Sequence, residues 1–395
     1  MTPRSVLLVT PRWTRDGGVA AHVKASAAAM AERGIDVTVL AARVYPDEEV
    51  RGVTVIESPR LFRSKESMDQ RLGEARSCSP DVVHIHQVDD PQVVTALRAR
   101  GPVVVSAHGY TACTSGVYYF EPGHECTRSH GLGCVPNLLA RGCAHTRHRK
   151  TLPVKFRNAT RGRSALRHAD LAVSYSSAVD RHLAANGMTE RALVPYFPTM
   201  PAREGAGHAS RRRVVFAGRI VQLKGIEVLL RAAREVDAEF VVCGDGRALD
   251  FMRDLAQQLD VEQRVSFRGW LSAEDLAAEL ADASLVVLPS VWPEPFGLVG
   301  IEAFAAGRPA VASATGGVGD WLEHGVNGLT VPPGDARALA QALDELLADP
   351  ERQRLMGIAG RDTVNSRFSP ETHLAALLES YERAGARWET ARPLS

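Results

Sequence analysis

The chain has 395 residues, 45% of them hydrophobic and 24% charged, with a formal net charge of +1. Its length favours two domains over one, and its composition is that of an ordinary globular protein. The balanced charge gives no reason to expect nucleic acid as a partner, no apolar run approaches the roughly 20 residues of a spanning helix, and six cysteines in so long a chain are not a secreted disulfide framework.

The chain opens on Val6-Leu-Leu-Val9, a strand (6–10) with no room before it for a signal peptide. A cytoplasmic location is expected, and a peripheral visit to the inner face of a membrane is compatible with it. Further strands are expected at 37–41, 53–57, 81–84 and 103–107, with helices over 20–33 and 91–100 that stop at Gly34 and Gly101. Short buried strands alternating with helices predict an α/β fold with a parallel sheet covered on both faces. After Ala107 the rhythm breaks. Residues 108–150 are rich in Gly, Cys, His, Tyr and Arg and read as an inserted loop region. Strands resume at 171–173 and 192–194. Pro195-Tyr-Phe-Pro-Thr-Met-Pro201 reads as the start of an interdomain linker. A second alternating set follows, with strands at 214–217, 239–243, 265–268, 285–288, 309–312 and 329–331. Its helices are expected at 225–236, 248–259, 272–282, 298–306 and 336–348. Ser272 and Asp275 have capping-box spacing, and Ser369-Pro370 opens a final helix ending near Arg387. Two such sheets in tandem predict a ligand cleft beyond the carboxyl ends of their strands.

The residues with chemistry fall at those strand ends. Glu294 and Glu302 bracket Pro-Phe-Gly-Leu-Val-Gly-Ile, one carboxylate in a loop and the other inside the helix that follows. Such a pair can hold two hydroxyl-bearing rings at once, with the helix-start amides of Gly297, Leu298 and Val299 between them for an anion. A sugar linked to a nucleoside diphosphate has that shape. Gly218-Arg219 and Lys224-Gly225 bring two cations to the end of another strand, suited to a diphosphate leaving group. Gly17-Gly18-Val19 opens the first helix with backbone that a ligand can approach closely. Thr315-Gly316-Gly317 is a second glycine loop with amides expected to be exposed. His108 ends a buried strand and can hydrogen-bond a sugar or phosphate oxygen. There is no G-x-G-x-x-G after the first strand, and Gly244-Asp-Gly246 is too short to replace it, so a dinucleotide cofactor is not expected.

Together with Asp81-Val-Val-His84, Gly307-Arg-Pro309 and Gly325-Val-Asn-Gly328-Leu, these segments resemble the retaining glycosyltransferases of the GT-B fold, in particular the large family 4 group. The resemblance runs over nearly the whole chain and is strongest from 213 to 334. It implies two tandem Rossmann-like domains with an interdomain cleft. Residues 1–197 would form the acceptor-side domain with the insertion 108–150, residues 198–368 the nucleotide-sugar domain, and 369–395 a helix crossing back to the first domain, with a tail. It implies retention at the anomeric carbon, no metal and no other cofactor, with the donor phosphate taking the acceptor proton. Carried over, Arg219 and Lys224 bind the diphosphate, Glu302 the ribose and Glu294 the donor sugar. His108 lies beside the reacting centre, and Gly17, Gly18 and Val19 join the donor-binding set.

Residues 108–168 depart from that pattern. Cys113, Cys126, Cys134 and Cys143 cluster there with His124, His130, His145 and His148. Reduced thiols in a cluster invite a structural zinc, although no C-x-x-C is present, and thiols packing an irregular loop are the alternative. Nine Lys or Arg and no acidic residue lie between Arg141 and Arg167. They read either as a solvated face or as attraction to an acidic acceptor, such as a phosphorylated sugar or cyclitol, or to an anionic membrane bearing a lipid-linked one. Trp13, Tyr110, Tyr118 and Tyr119 are candidates to pack an acceptor ring. The expected reaction is hexosyl transfer from a UDP- or GDP-linked sugar to an alcohol. The rivals are a sugar-nucleotide epimerase or hydrolase on a similar fold and a non-catalytic sugar-nucleotide-binding subunit.

Overall fold

A computed structural model describes residues 2–391 apart from 15–16, 47–48, 64, 88–89, 114–118, 122–123, 127, 141–142, 144–148, 202 and 204–211. The chain divides into two compact units. The first comprises Met1–Tyr118, Cys126–Tyr196 and Pro370–Ser395, and the second Tyr119–Glu125 and Phe197–Ser369.

In chain order the strands up to residue 193 are β1 (Ser5–Trp13), β2 (Asp36–Val44), β3 (Val53–Glu57), β4 (Val82–His86), β5 (Val103–Ala107), β6 (Tyr119–Glu121), β7 (His124–Glu125), β8 (Leu171–Ser174) and β9 (Arg191–Leu193). The short pair β6–β7 is antiparallel. The other seven form one parallel sheet in the order β3-β2-β1-β4-β5-β8-β9. The helices here are α1 (Gly18–Glu32), α2 (Met68–Arg71), α3 (Pro91–Arg98), α4 (Cys134–Ala140), α5 (Leu152–His168) and α6 (Ser177–Ala185). Every residue of β4, β5 and β8 is buried, which is why these strands read as continuous apolar runs rather than alternating ones. Asp81 fixes the register at the start of β4: its carboxylate accepts from the Arg4 and Ser5 amides at 2.7 and 3.1 Å.

The second unit carries β10 (Arg213–Ala217), β11 (Glu239–Cys243), β12 (Val265–Gly269), β13 (Leu285–Leu288), β14 (Ala310–Ser313) and β15 (Gly328–Val331), all parallel, in the order β12-β11-β10-β13-β14-β15. Its helices are α7 (Ile226–Ala232), α8 (Leu249–Gln258), α9 (Ala273–Ala281), α10 (Leu298–Ala305), α11 (Ala336–Leu347) and α12 (Pro350–Arg367). Phe216, Phe240, Val242, Leu285, Leu339 and Leu343 anchor its apolar core. The last helix, α13 (Pro370–Ala391), belongs to the first unit and packs on α1, β5 and β8.

Of the helices that escape the apolar-period reading, α2, α4, α5, α6 and α12, three show why. The buried face of α5 is Ala159, Gly162, Ala165 and Leu166, and that of α12 is Met356, Gly357, Gly360 and Val364. Small residues let these helices approach their neighbours closely, so the contact is made without the large apolar side chains that mark a helix in sequence. The third, α6, is only nine residues long and starts at Ser176, whose hydroxyl accepts from the Val179 amide at 3.2 Å.

Candidate active site

In the second unit the loop after β10 and the loop after β13 are zipped together. The Val291 amide donates to the Leu223 carbonyl at 3.0 Å. Gly225 stands where any side chain would collide with the Pro289 carbonyl, its absent Cβ falling 1.8 Å from that oxygen. This contact brings Lys224 onto Glu294. The ammonium donates to Oε1 at 2.8 Å and to Oε2 at 2.9 Å. Oε2 also accepts from the Ser290 hydroxyl at 2.9 Å and from the Trp292 indole at 3.1 Å. Glu294 is only 5% exposed, so this is a desolvated carboxylate with an adjacent cation rather than a surface pair. Arg219 lies exposed at the end of β10.

Gly297 caps α10 in the left-handed region, with φ at 88°. By helix geometry the first-turn amides that follow, Leu298 and Val299, lack intrahelical acceptors. Trp321 clamps this start: its indole donates to the Phe296 carbonyl at 2.7 Å. Glu302, one turn into α10, is half-buried and accepts from the Thr199 hydroxyl at 3.4 Å. Burial pushes its carboxyl up to about 7, against the opposing effect of Thr199. It lines a pocket with Pro198, Met200, Leu280 and Ala305.

In the first unit Gly17 caps α1 with φ at 87°, and Gly18 and Val19 form the first turn. His108 follows β5 and joins a cluster of rings at the ends of β4, β5, β8 and β9. Its Nε2 meets His86 Nδ1 at 3.0 Å, its Nδ1 meets the Tyr196 hydroxyl at 2.8 Å, and its ring stacks on Tyr175 with centroids 4.6 Å apart. Beneath it, His84 bridges the Tyr381 and Ser106 hydroxyls, both at 2.7 Å. His373 of α13 donates through Nδ1 to the Pro195 carbonyl at 2.7 Å, so its Nε2 accepts from the Ser26 hydroxyl at 3.1 Å. Burial first, and neighbouring imidazoles second, depress His84 and His108 to about 3 and hold His22 and His86 well below the usual range. Burial also depresses His373, to about 4. These imidazoles are neutral at physiological pH.

A model of the family described as "Glycosyl transferases group 1" matches residues 203–363, and one described as "Glycosyltransferase Family 4" matches residues 16–195. The chain is 30% identical over 412 residues to the D-inositol 3-phosphate glycosyltransferase of Nocardia farcinica, an alignment covering 94% of this chain and 86% of that protein. This chain belongs to the group 1 glycosyltransferases. It is also 39% identical over 142 residues to an uncharacterised glycosyltransferase of Methanocaldococcus jannaschii, where the match spans 35% of this chain and 36% of the relative. The structure of Anabaena HepE in complex with UDP-glucose superposes with a TM-score of 0.70 at 18% identity, covering 95% of this chain and 99% of that one. The fold is therefore GT-B.

For this glycosyltransferase several expectations change. Thr315-Gly316-Gly317 does not offer all its amides to a ligand. The Gly317 amide donates to the Glu294 carbonyl at 2.7 Å, and Gly316 is required because a Cβ there would fall 2.1 Å from that same oxygen. Both ring nitrogens of His108 face protein partners rather than being held open for a sugar or phosphate oxygen. Trp13 and Tyr110 are buried, 1% and 3% exposed, and present no open ring to an acceptor. Tyr118, His145 and His148 lie outside the described residues, as do the side chains of Tyr119 and His124. His130 is bonded to the Thr160 hydroxyl at 2.8 Å. Two residues of the basic stretch serve the structure: Arg161 pairs with Asp90 at 3.0 Å, and Arg163 donates to the Asn186 and His130 carbonyls. Among the described residues Cys113, Cys126, Cys134 and Cys143 are joined in no disulfide, and Cys143 is pushed up to about 11 by burial and then by the other three nearby. Among the described residues no three His, Cys, Asp or Glu side chains are disposed to hold a metal ion.

Sequence reasoning missed Ser290, Trp292, Thr199, His86, Tyr175 and Tyr196. The Ser290–Glu294 spacing and the i, i+2 pairing of His84 with His86 on one strand face were the signals available.

Proposed function

We propose that this glycosyltransferase moves a hexosyl group from a UDP- or GDP-linked sugar to an alcohol acceptor, with retention at the anomeric carbon and without a metal ion. The observation that carries the reading is the preassembled Lys224–Glu294 pair, at 2.8 Å, whose carboxylate stands in the loop that leads into α10. Arg219, the remaining N–H of Lys224 and the helix-start amides would receive the diphosphate, and Glu302 the ribose hydroxyls. These fixed charges stabilise the leaving group as the bond from the anomeric carbon to the phosphate oxygen breaks. The new bond forms to the acceptor oxygen, whose proton passes to the departing diphosphate. A carboxylate already holding Lys224, Ser290 and Trp292 is a poor covalent nucleophile, which favours this front-face route over a glycosyl-enzyme. The name of the Nocardia relative supports a phosphorylated cyclitol or sugar as acceptor.

A thermal-shift panel of UDP, GDP and their hexose conjugates tests the donor, because a ligand that favours the native state raises the midpoint with occupancy. Product NMR reads the anomeric configuration, and turnover in chelator tests the role of metal. Inversion, or activity lost in chelator and restored by a divalent ion, rejects the corresponding part of the proposal.

A further inference from the structure

The environment of Glu294 is asymmetric, and that asymmetry bears on which part of the donor it can read. An ionised carboxylate offers about four lone-pair directions, two on each oxygen. Oε2 receives three donors: Lys224 at 2.9 Å, Ser290 at 2.9 Å and Trp292 at 3.1 Å. Among the described residues Oε1 receives Lys224 alone, at 2.8 Å. The backbone is held as firmly, with the Gly317 amide on the Glu294 carbonyl at 2.7 Å and Gly316 pressed against it. The group therefore has neither spare capacity on Oε2 nor freedom to turn the other oxygen outward.

We propose that Ser290 and Trp292 are positioning residues for the donor sugar: together with Lys224 they saturate one oxygen of Glu294, leaving Oε1 to accept from a single donor hydroxyl. This rests on the glycosyl-transfer reading above and deepens it. A freely rotating carboxylate could accept from two adjacent sugar hydroxyls, one on each oxygen. The harnessed one accepts from one, so discrimination between hexoses is concentrated at one ring position.

The test uses the full chain with whichever of UDP-glucose or GDP-mannose supports turnover, together with the four monodeoxy forms of that donor. In the wild type, one monodeoxy donor should lose at least ~10-fold in kcat/KM, as the loss of a hydrogen bond to a charged group predicts, and the other three should lose about 3-fold or less. Ser290→Ala and Trp292→Phe should each lower kcat several-fold and narrow the gap between the discriminated donor and its parent, and Ser290→Thr should restore both. Affinity for UDP or GDP alone, measured by calorimetry, should stay within about 2-fold in all three variants, since the nucleotide does not touch Oε2. Failure of the wild type to bind either nucleoside diphosphate would overturn the glycosyl-transfer reading and this one with it. Normal diphosphate binding with unchanged discrimination in Ser290→Ala and Trp292→Phe would overturn the harness alone. So would an even loss across all donors that tracks a lower melting temperature.

Discussion

The two units share an architecture, a parallel sheet between layers of helices, yet the polar clusters at the carboxyl ends of their strands, around His108 and around Glu294, are built in opposite ways. In the first, five imidazoles (His22, His84, His86, His108 and His373) gather at 0 to a few per cent exposure or half-buried at the rim, beside hydroxyls and one another, and desolvation keeps them neutral. In the second, the buried Glu294 carboxylate has an ammonium on both oxygens and two neutral donors besides. A group that can shed its charge cheaply does so when no countercharge is near, whereas one that lies against a cation is fixed as half of a pair. The first arrangement gives rigid shape with little field. The second gives a local field fixed before any ligand arrives, which is what a developing diphosphate charge requires.

The sharpest way to break this contrast is to remove one half of the pair. Glu294→Ala and Lys224→Ala should each reduce turnover by at least ~10²-fold while circular dichroism shows the fold intact, in line with lost preorganised donors elsewhere. Near-wild-type rates in either variant would remove that residue from the proposed machinery.

Acid should then separate the units. Because the folded-state values of His84, His108 and His373 lie near 3 to 4, below the ordinary 6.5, the unfolded chain binds more protons across that interval. Stability from these neutral imidazoles is present above about 6.5 and is lost as pH falls towards 3. Hydrogen exchange at pH 5 should show amides of β4, β5 and β8 losing protection relative to their values at pH 7.5 by more than those of β10, β11 and β13. Equal losses in both units would argue that the histidine cluster does not set the acid limit.

Glu302 tests the opposite sign. Its carboxyl, raised to about 7 from 4.5, binds a proton more tightly when folded, so its contribution to stability declines as pH rises from 4.5 to 7. A protonated carboxyl accepts poorly from a ribose diol, so diphosphate affinity should fall below about pH 7, and Glu302→Gln should bind weakly with that slope flattened. The smallest effect is expected from Thr199→Val, which deletes the 3.4 Å hydroxyl contact to Glu302 and should change diphosphate affinity by a few-fold.

Much of this was legible in the chain. In the second unit β11 and β13 follow short runs of Val with Phe or Leu, and both begin and end at the expected residues. Glu294 and Lys224 were visible as charges in loops that follow strands, and Glu302 as a second carboxylate inside the helix after Glu294. What stayed hidden follows from long-range packing. Nothing local marks His108 as bonded to His86 and Tyr196, which come from strands 22 and 88 residues away. Gly316 reads as a flexible turn until the Glu294 backbone is seen against it, and α12 reads as polar because glycines make its contacts. The basic run from Arg141 to Arg167 looks like a binding face because sequence does not reveal that Arg161 and Arg163 already serve Asp90, Asn186 and His130.

The return of α13 has a consequence for how the first unit is completed. Trp388 donates to the Arg98 carbonyl at 2.8 Å, and His373 and Tyr381 complete contacts begun by Ser26 and His84. The polar heart of the first sheet is thus closed by a helix that follows the whole second unit in sequence. A chain lacking residues 370–391 is expected to leave that face of the first unit open.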